Sequence, residues 1–290
     1  MFSKRRFSVL RSRAASASRR PRRSSPRSSA PICQAAGYPT RDELLADYPA
    51  AFTWEQLKTF VNSGDLGLLK RDRKLQQRYN IWAAGIRQEY GSMVNYLQNR
   101  RLQWGKPDTL SLLTSSLNVE MNGSAVEDDS VDDVPPPYFT AETPSRYISV
   151  IQNDWPYSVP PEIEHVLVWT KVPIYHPDIV PSSIAPRVEQ DGLWGFTGNT
   201  SPPPSPSNLP SCLPALAEWG ITKDKMIVSQ KGTEEEEALV RQVGSHVHEY
   251  VKKRWNENEW ETAWFVNPPR LQSVPGLAHI HVFAKRKTLS

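Results

Sequence analysis

Apolar residues recur every three or four positions in the first part of this chain and alternate with polar ones in the second. The pattern predicts helices followed by strands. Thr53-Trp54-Glu55-Gln56 has the form of a capping box, and Leu57, Phe60 and Val61 supply the apolar stripe behind it. Over 69–90, Leu75, Tyr79, Trp82, Ile86 and Tyr90 fall at helical spacing. Gly91 ends that helix, and Met93, Val94 and Leu97 predict another reaching about Trp104.

Strands begin at 147–151, a β-branched alternating run. Over 163–171, Ile163, His165, Leu167 and Trp169 share one face while Val166 and Val168 take the other, the pattern of a central strand. Asn153-Asp154-Trp155-Pro156-Tyr157 between them reads as a turn. The segment 233–255 is the clearest helix. Thr233 and Glu236 form its capping box, Leu239, Val243, Val247 and Val251 line one face, and Lys252-Lys253-Arg254 close the end. The last strands are expected at 262–266 and 278–285. The eight prolines of 181–214 predict a surface insertion without regular structure.

Charge divides the chain differently. Residues 1–40 hold ten Lys and Arg and no acid, whereas the remainder holds 25 basic against 31 acidic residues. The basic tail, 1–39, is too poor in apolar residues to fold and is expected to be disordered. The acidic body argues against a nucleic-acid footprint, and no apolar run approaches membrane-spanning length. Residues 119–137 read as an acidic linker, so the expected organisation is a tail and one body, 40–288. That body has a helical part at 40–118 and a sheet part at 138–288. Lys70, Arg71, Arg73, Lys74 and Arg78 read as a solvated helix face, interrupted by Asp72. The expected location is cytoplasm and nucleus. The acid-free, Arg-rich start suits a mitochondrial presequence as the alternative.

Two of the six histidines, His279 and His281, stand two apart in the last strand and so share a face. Asp154, His165, Asn267, Gln272 and Ser273 complete the candidate site. Such an imidazole pair can supply a nucleophile toward phosphorus oriented by its neighbour. It can also be structural, bonded to backbone carbonyls. A metal would need a third ligand, and no Cys or acid lies close in sequence to provide one, so neither metal nor cofactor is expected.

The order of motifs, 153–157, then 165–171, then Trp264-Phe265-Val266-Asn267, Leu271-Gln272-Ser273-Val274 and His279-Ile280-His281-Val282, resembles the fungal N-acetylglucosamine-induced protein family. That resemblance covers about 39–285 and implies a role in amino-sugar response without supplying a reaction. A weaker one is to histidine-triad proteins. It implies a ribose-contacting role for Asp154, phosphate contacts from Gln272 and Ser273, and His281 as nucleophile with His279 beside it. Phe283 stands where that family has its third histidine, and 275–278 lengthen the preceding connection.

The expectation is therefore an α+β protein. Its N-terminal helices precede a mostly antiparallel sheet with a packed helix, in an arrangement resembling the histidine-triad fold. Its expected partner is a phosphorylated sugar or nucleotide-type small molecule. Two alternatives stand beside this: nucleotidyl or phosphoryl transfer through His281, and a non-catalytic interaction protein.

Overall fold

The computed structural model describes residues 37–113, 115, 134–222, 224, 226 and 232–288. Most of the expected basic tail and the acidic linker lies outside the described residues. The helices are α1 (Arg41–Asp47), α2 (Trp54–Asn62), α3 (Arg73–Tyr90), α4 (Met93–Tyr96), α5 (Ala185–Asp191), α6 (Leu209–Cys212) and α7 (Glu234–Arg254). The strands are β1 (Ile148–Gln152), β2 (Ile163–Thr170), β3 (Leu193–Thr197), β4 (Trp260–Val266) and β5 (Ala278–Arg286).

All five strands pair antiparallel in the order β1-β2-β5-β4-β3. β2 and β5 are nearly all buried because helices cover both faces of the sheet. On one face Val243, Val247 and Val251 of α7 pack on Val166, Val168, Trp264, Ile280 and Val282. On the other, Leu57, Phe60 and Val61 of α2 meet Ile163, Ala263, Phe265 and Phe283. Beside them, Leu97 and Leu102 cover Ile151, Leu167 and Trp169. The fold is α+β, a sheet between two helical layers. No helix among the described residues is long and apolar enough to cross a membrane.

Local chemistry explains the element boundaries. Thr53 with Gln56, and Thr233 with Glu236, form the two expected capping boxes, each satisfying two otherwise orphaned N–H groups. α3 starts at Arg73 rather than 69 because residues 66–68 make a 3-10 turn and Asp72 then caps the helix through Lys74 and Leu75. Gly91, at φ +77°, ends it. The helix expected to reach Trp104 is instead one turn followed by a π-type turn, Leu97–Arg101.

The Pro-rich stretch 181–214 needs correction. It contributes α5, the edge strand β3 and α6, with Ile184, Val188, Leu193, Leu209 and Cys212 buried. Its prolines sit at helix starts and in connections, where a missing N–H costs little. They leave Leu193–Thr197 free to pair with β4.

Candidate functional site

β2 and β5 bring three histidines onto the face covered by the N-terminal helices. The register sets Trp169 opposite His279, Leu167 opposite His281 and His165 opposite Phe283. All three imidazoles are buried.

Their hydrogen bonds run in one direction. The Tyr157 backbone N–H donates to His165 Nδ1 at 3.2 Å, which leaves the His165 proton on Nε2. His165 Nε2 lies 3.0 Å from His281 Nδ1, so it donates there and puts the His281 proton on Nε2 as well. Asn267 Nδ2 lies 3.2 Å from His281 Nε2, and exchanging the O and N of that amide, as the tautomers require, lets its oxygen accept and end the chain. His281 is parallel to Phe265 (4.5 Å between centroids) and to Tyr157 (5.8 Å). Burial is the main force lowering the pKa of His165 and His281 far below the ordinary imidazole value. The charge of Arg71 and the neighbouring imidazoles act in the same direction. These rings are neutral near pH 7.

His279 stands apart from that chain. Its Nδ1 donates to the Leu277 carbonyl at 3.2 Å, and its ring stacks on Trp169 at 4.2 Å. Burial pulls it down to about 4, slightly offset by the carbonyl contact. A neutral ring protonated on Nδ1 presents Nε2 as an acceptor, and no described residue is bonded to that atom.

Above this face lies an aromatic roof. Tyr79 and Trp82 of α3 meet Tyr38 and Trp155, with centroids 5.2–5.9 Å apart. Between roof and sheet is a cavity of about 60 Å³, lined by His279, His281, Trp155, Trp169, Arg71 and Ser273 among others. Trp155 and Trp169 are buried, yet neither indole N–H has a hydrogen-bond partner among the described residues. A second cavity, about 290 Å³, reaches His165 and Asn153.

Arg71 and Arg101 fix the electrostatics. Arg101 Nε and Nη2 donate to the two oxygens of Asp154 (2.7 and 2.9 Å), and Nη1 and Nη2 to Asp108 (2.8 and 3.0 Å). The cluster is buried and ties 101–108 to the turn after β1. Burial pushes the Asp154 carboxyl up, against the pull of Arg101. Arg71 lies over Tyr79 (4.6 Å) and Tyr157 (5.5 Å) and donates to the Trp155 carbonyl and to Gln76. No described carboxylate pairs with it.

Of the residues expected from sequence, His165, His279, His281 and Asn267 do come together. Ser273 is exposed at the edge of the small cavity. Gln272 instead donates to the Asn267 carbonyl at 3.3 Å, and Asp154 lines the cavity with both oxygens held by Arg101. Among the described residues, no group of three or more His, Cys, Asp or Glu could hold a metal. Sequence reasoning missed Arg71, Arg101, Trp155 and Trp169. Arg71 was hidden in a basic run. The aromatic stripe of Tyr79 and Trp82 beside it was the available signal that this face is covered.

Residues 53–188 and 219–285 match the family described as "Protein of unknown function (DUF3605)". The chain belongs to that family. The two DUF3605 segments contain Arg71, Arg101, Trp155, His165, Trp169, Asn267, His279 and His281, and they leave out β3. An uncharacterized protein of Saccharomyces cerevisiae is 24% identical over 127 residues, 43% of this chain and 51% of that protein. N-acetylglucosamine-induced protein 1 of Candida albicans is 23% identical over 123 residues, 42% of this chain and 44% of that protein. The chain thus spans about half the length of these relatives. A crystal structure of HTC1 aligns over 80% of this chain and 84% of that one, with 18% identity and a TM-score of 0.37.

Proposed function

We propose that this protein binds a small phosphorylated sugar or nucleotide sugar with its phosphate at Arg71 and its sugar ring outside the small cavity between the histidine face and the aromatic roof, in amino-sugar response or metabolism. The observation that carries this reading is Arg71. It is a guanidinium without a carboxylate partner among the described residues, lining the same cavity as His279 and His281. Guanidinium groups suit phosphate because their planar fork gives paired, charge-assisted hydrogen bonds. Aromatic rings beside it offer the apolar face that a sugar or base requires. The relative named for induction by N-acetylglucosamine supports the choice of sugar.

The test is thermal unfolding against sugar phosphates, nucleotides and nucleotide sugars. A ligand at a hundred times its Kd adds about 2.7 kcal/mol of stability. No shift with any of these compounds would sink the reading.

A second reading, phosphoryl or nucleotidyl transfer through His281, is favoured by the His165 contact, which fixes the orientation of the His281 ring. It requires the opposite tautomer, with His281 protonated on Nδ1, Nε2 free of its proton and of Asn267, and the Tyr157 N–H contact to His165 Nδ1 given up. Turnover that survives His281→Ala would remove that residue from the chemistry.

A further inference from the structure

β3 is an edge of the sheet. It pairs with β4 on one side, and among the described residues no backbone hydrogen bond reaches Leu193–Thr197 from the other. Edge strands usually carry a charge, a proline or a bulge that discourages further pairing. Leu193-Trp194-Gly195-Phe196-Thr197 has none of these, and its register with β4 is unbroken. Gly195 is only half-buried, and a glycine has nothing but main chain to expose, so the middle of that edge is open.

A cavity of about 900 Å³ runs along it. Four consecutive residues, Leu193 to Phe196, line this cavity. Successive strand side chains point to opposite faces, so a cavity over one face would meet every second residue. One that meets all four follows the edge. Its far wall is a stripe of α7, formed by Glu237, Val240, Arg241, Gly244, Ser245 and His248. At about 1.5 Å per helical residue the stripe is roughly 16 Å long, the length of five strand residues at about 3.3 Å each.

A strand added in this groove meets two unlike walls. Trp194 and Phe196 lie on the α2 side of the sheet. On the α7 side, the charged groups lining the cavity are Arg187 and Glu237, bonded to each other at 2.7 Å, and Arg241. Arg241 is exposed and has no ion pair among the described residues. Alternate side chains of an added strand therefore face aromatic rings on one side and an unmatched guanidinium on the other.

We propose that β3 and α7 form a docking groove for an extended peptide of a partner protein, one in which apolar residues alternate with acidic ones. Main-chain pairing along β3 gives such a complex its affinity, and the alternating side chains give its specificity. A second copy of β3 suits the groove less well, because Leu193, Gly195 and Thr197 bring no acid to Arg241. The groove is separate from the histidine face and does not depend on the sugar-phosphate reading.

The experiment uses the full chain and two synthetic peptides, Thr-Val-Asp-Leu-Asp-Val-Thr and its counterpart with lysine in place of both aspartates. Calorimetry gives the Kd values, and hydrogen exchange reads the β3 amides that do not pair with β4. The acidic peptide should bind at least about fivefold tighter than the lysine one and slow exchange along Leu193–Thr197. Arg241→Glu, a change on an exposed side chain, should reverse that preference. Equal binding of the two peptides, or binding that leaves β3 exchange unchanged, overturns the proposal. Binding of neither does so too. Slow exchange of those amides before any peptide is added also overturns it, the edge then being covered by another part of this chain or by a second copy.

Discussion

His165 Nε2 and His281 Nδ1 are 3.0 Å apart, although the two residues are not opposite one another in the sheet. Leu167 is opposite His281, and Phe283 is opposite His165. The contact is therefore diagonal across β2 and β5, a distance that long side chains can bridge. Phe283 fills the position directly across from His165, at 4.2 Å between ring centroids, and belongs to the apolar cluster under α2. The relay thus ends against an apolar wall on that side and runs toward Asn267 on the other.

Acid should unfold this protein through its histidines. An unfolded imidazole titrates near 6.5, whereas His279 is held down to about 4 and His165 and His281 lie well below the ordinary value. Below pH 6.5 the unfolded chain takes up protons that the folded one refuses, so stability falls with pH across the window from about 6.5 down toward 4. Each histidine contributes a slope of about 1.4 kcal/mol per pH unit within its window. Denaturation midpoints between pH 7.5 and 4.5 measure it, and His279→Asn should reduce the slope by about one histidine's share. A flat profile would contradict the buried neutral rings.

Arg101→Met should cost about 3–5 kcal/mol, because it strands the Asp108 and Asp154 carboxylates in the interior. Urea midpoints would show it. Adding Asp108→Asn and Asp154→Asn to the same variant should recover much of the loss, since the stranded charges are then gone. A triple variant no more stable than the single one would shift the cause to lost packing.

Arg71→Met should weaken binding of a sugar phosphate roughly 10- to 100-fold, the loss of about one strong charge-assisted pair. Its effect on stability should be about 1 kcal/mol, from the hydrogen bond to the Trp155 carbonyl. Arg71→Lys should fall between, keeping charge without the fork. Calorimetric Kd values compared with urea midpoints separate the two effects.

Two glycines with similar φ should respond differently to alanine. At Gly192, between α5 and β3, φ is +80° and a Cβ would stand 2.2 Å from the Val266 carbonyl oxygen. At Gly276, φ is +85° and nothing lies within 4 Å. Gly276→Ala should cost about 1 kcal/mol of backbone strain. Gly192→Ala should cost at least about 2 kcal/mol more and loosen β3 from β4, as hydrogen exchange along Leu193–Thr197 would report.

Several elements were legible because their signals are local. The capping boxes at Thr53 and Thr233, the stripe of α7 and the alternation in β2 and β5 depend on residues within a few positions of one another. β3 was not legible. Leu193-Trp194-Gly195-Phe196-Thr197 is short and flanked by prolines, and it is a strand because β4 offers an edge. The candidate site divides the same way. His279 and His281 could be placed on one face from spacing alone. The direction of the relay depends on Tyr157 and Asn267, whose approach requires the turns after β1 and β4 to fold back onto that face.

Spacing in the sequence by itself determined that this is an α+β chain with His279 and His281 on one strand face, because strand alternation and helical periodicity are properties of the backbone. Tertiary structure decided what that face is. The helices bring Arg71, Tyr79 and Trp82 down over it, and Arg101 pairs with Asp154 across 53 positions of sequence. Burial then makes the imidazoles neutral. Such pairings across long stretches of chain are selected by how the whole interior packs and satisfies its polar groups, and no local pattern encodes them.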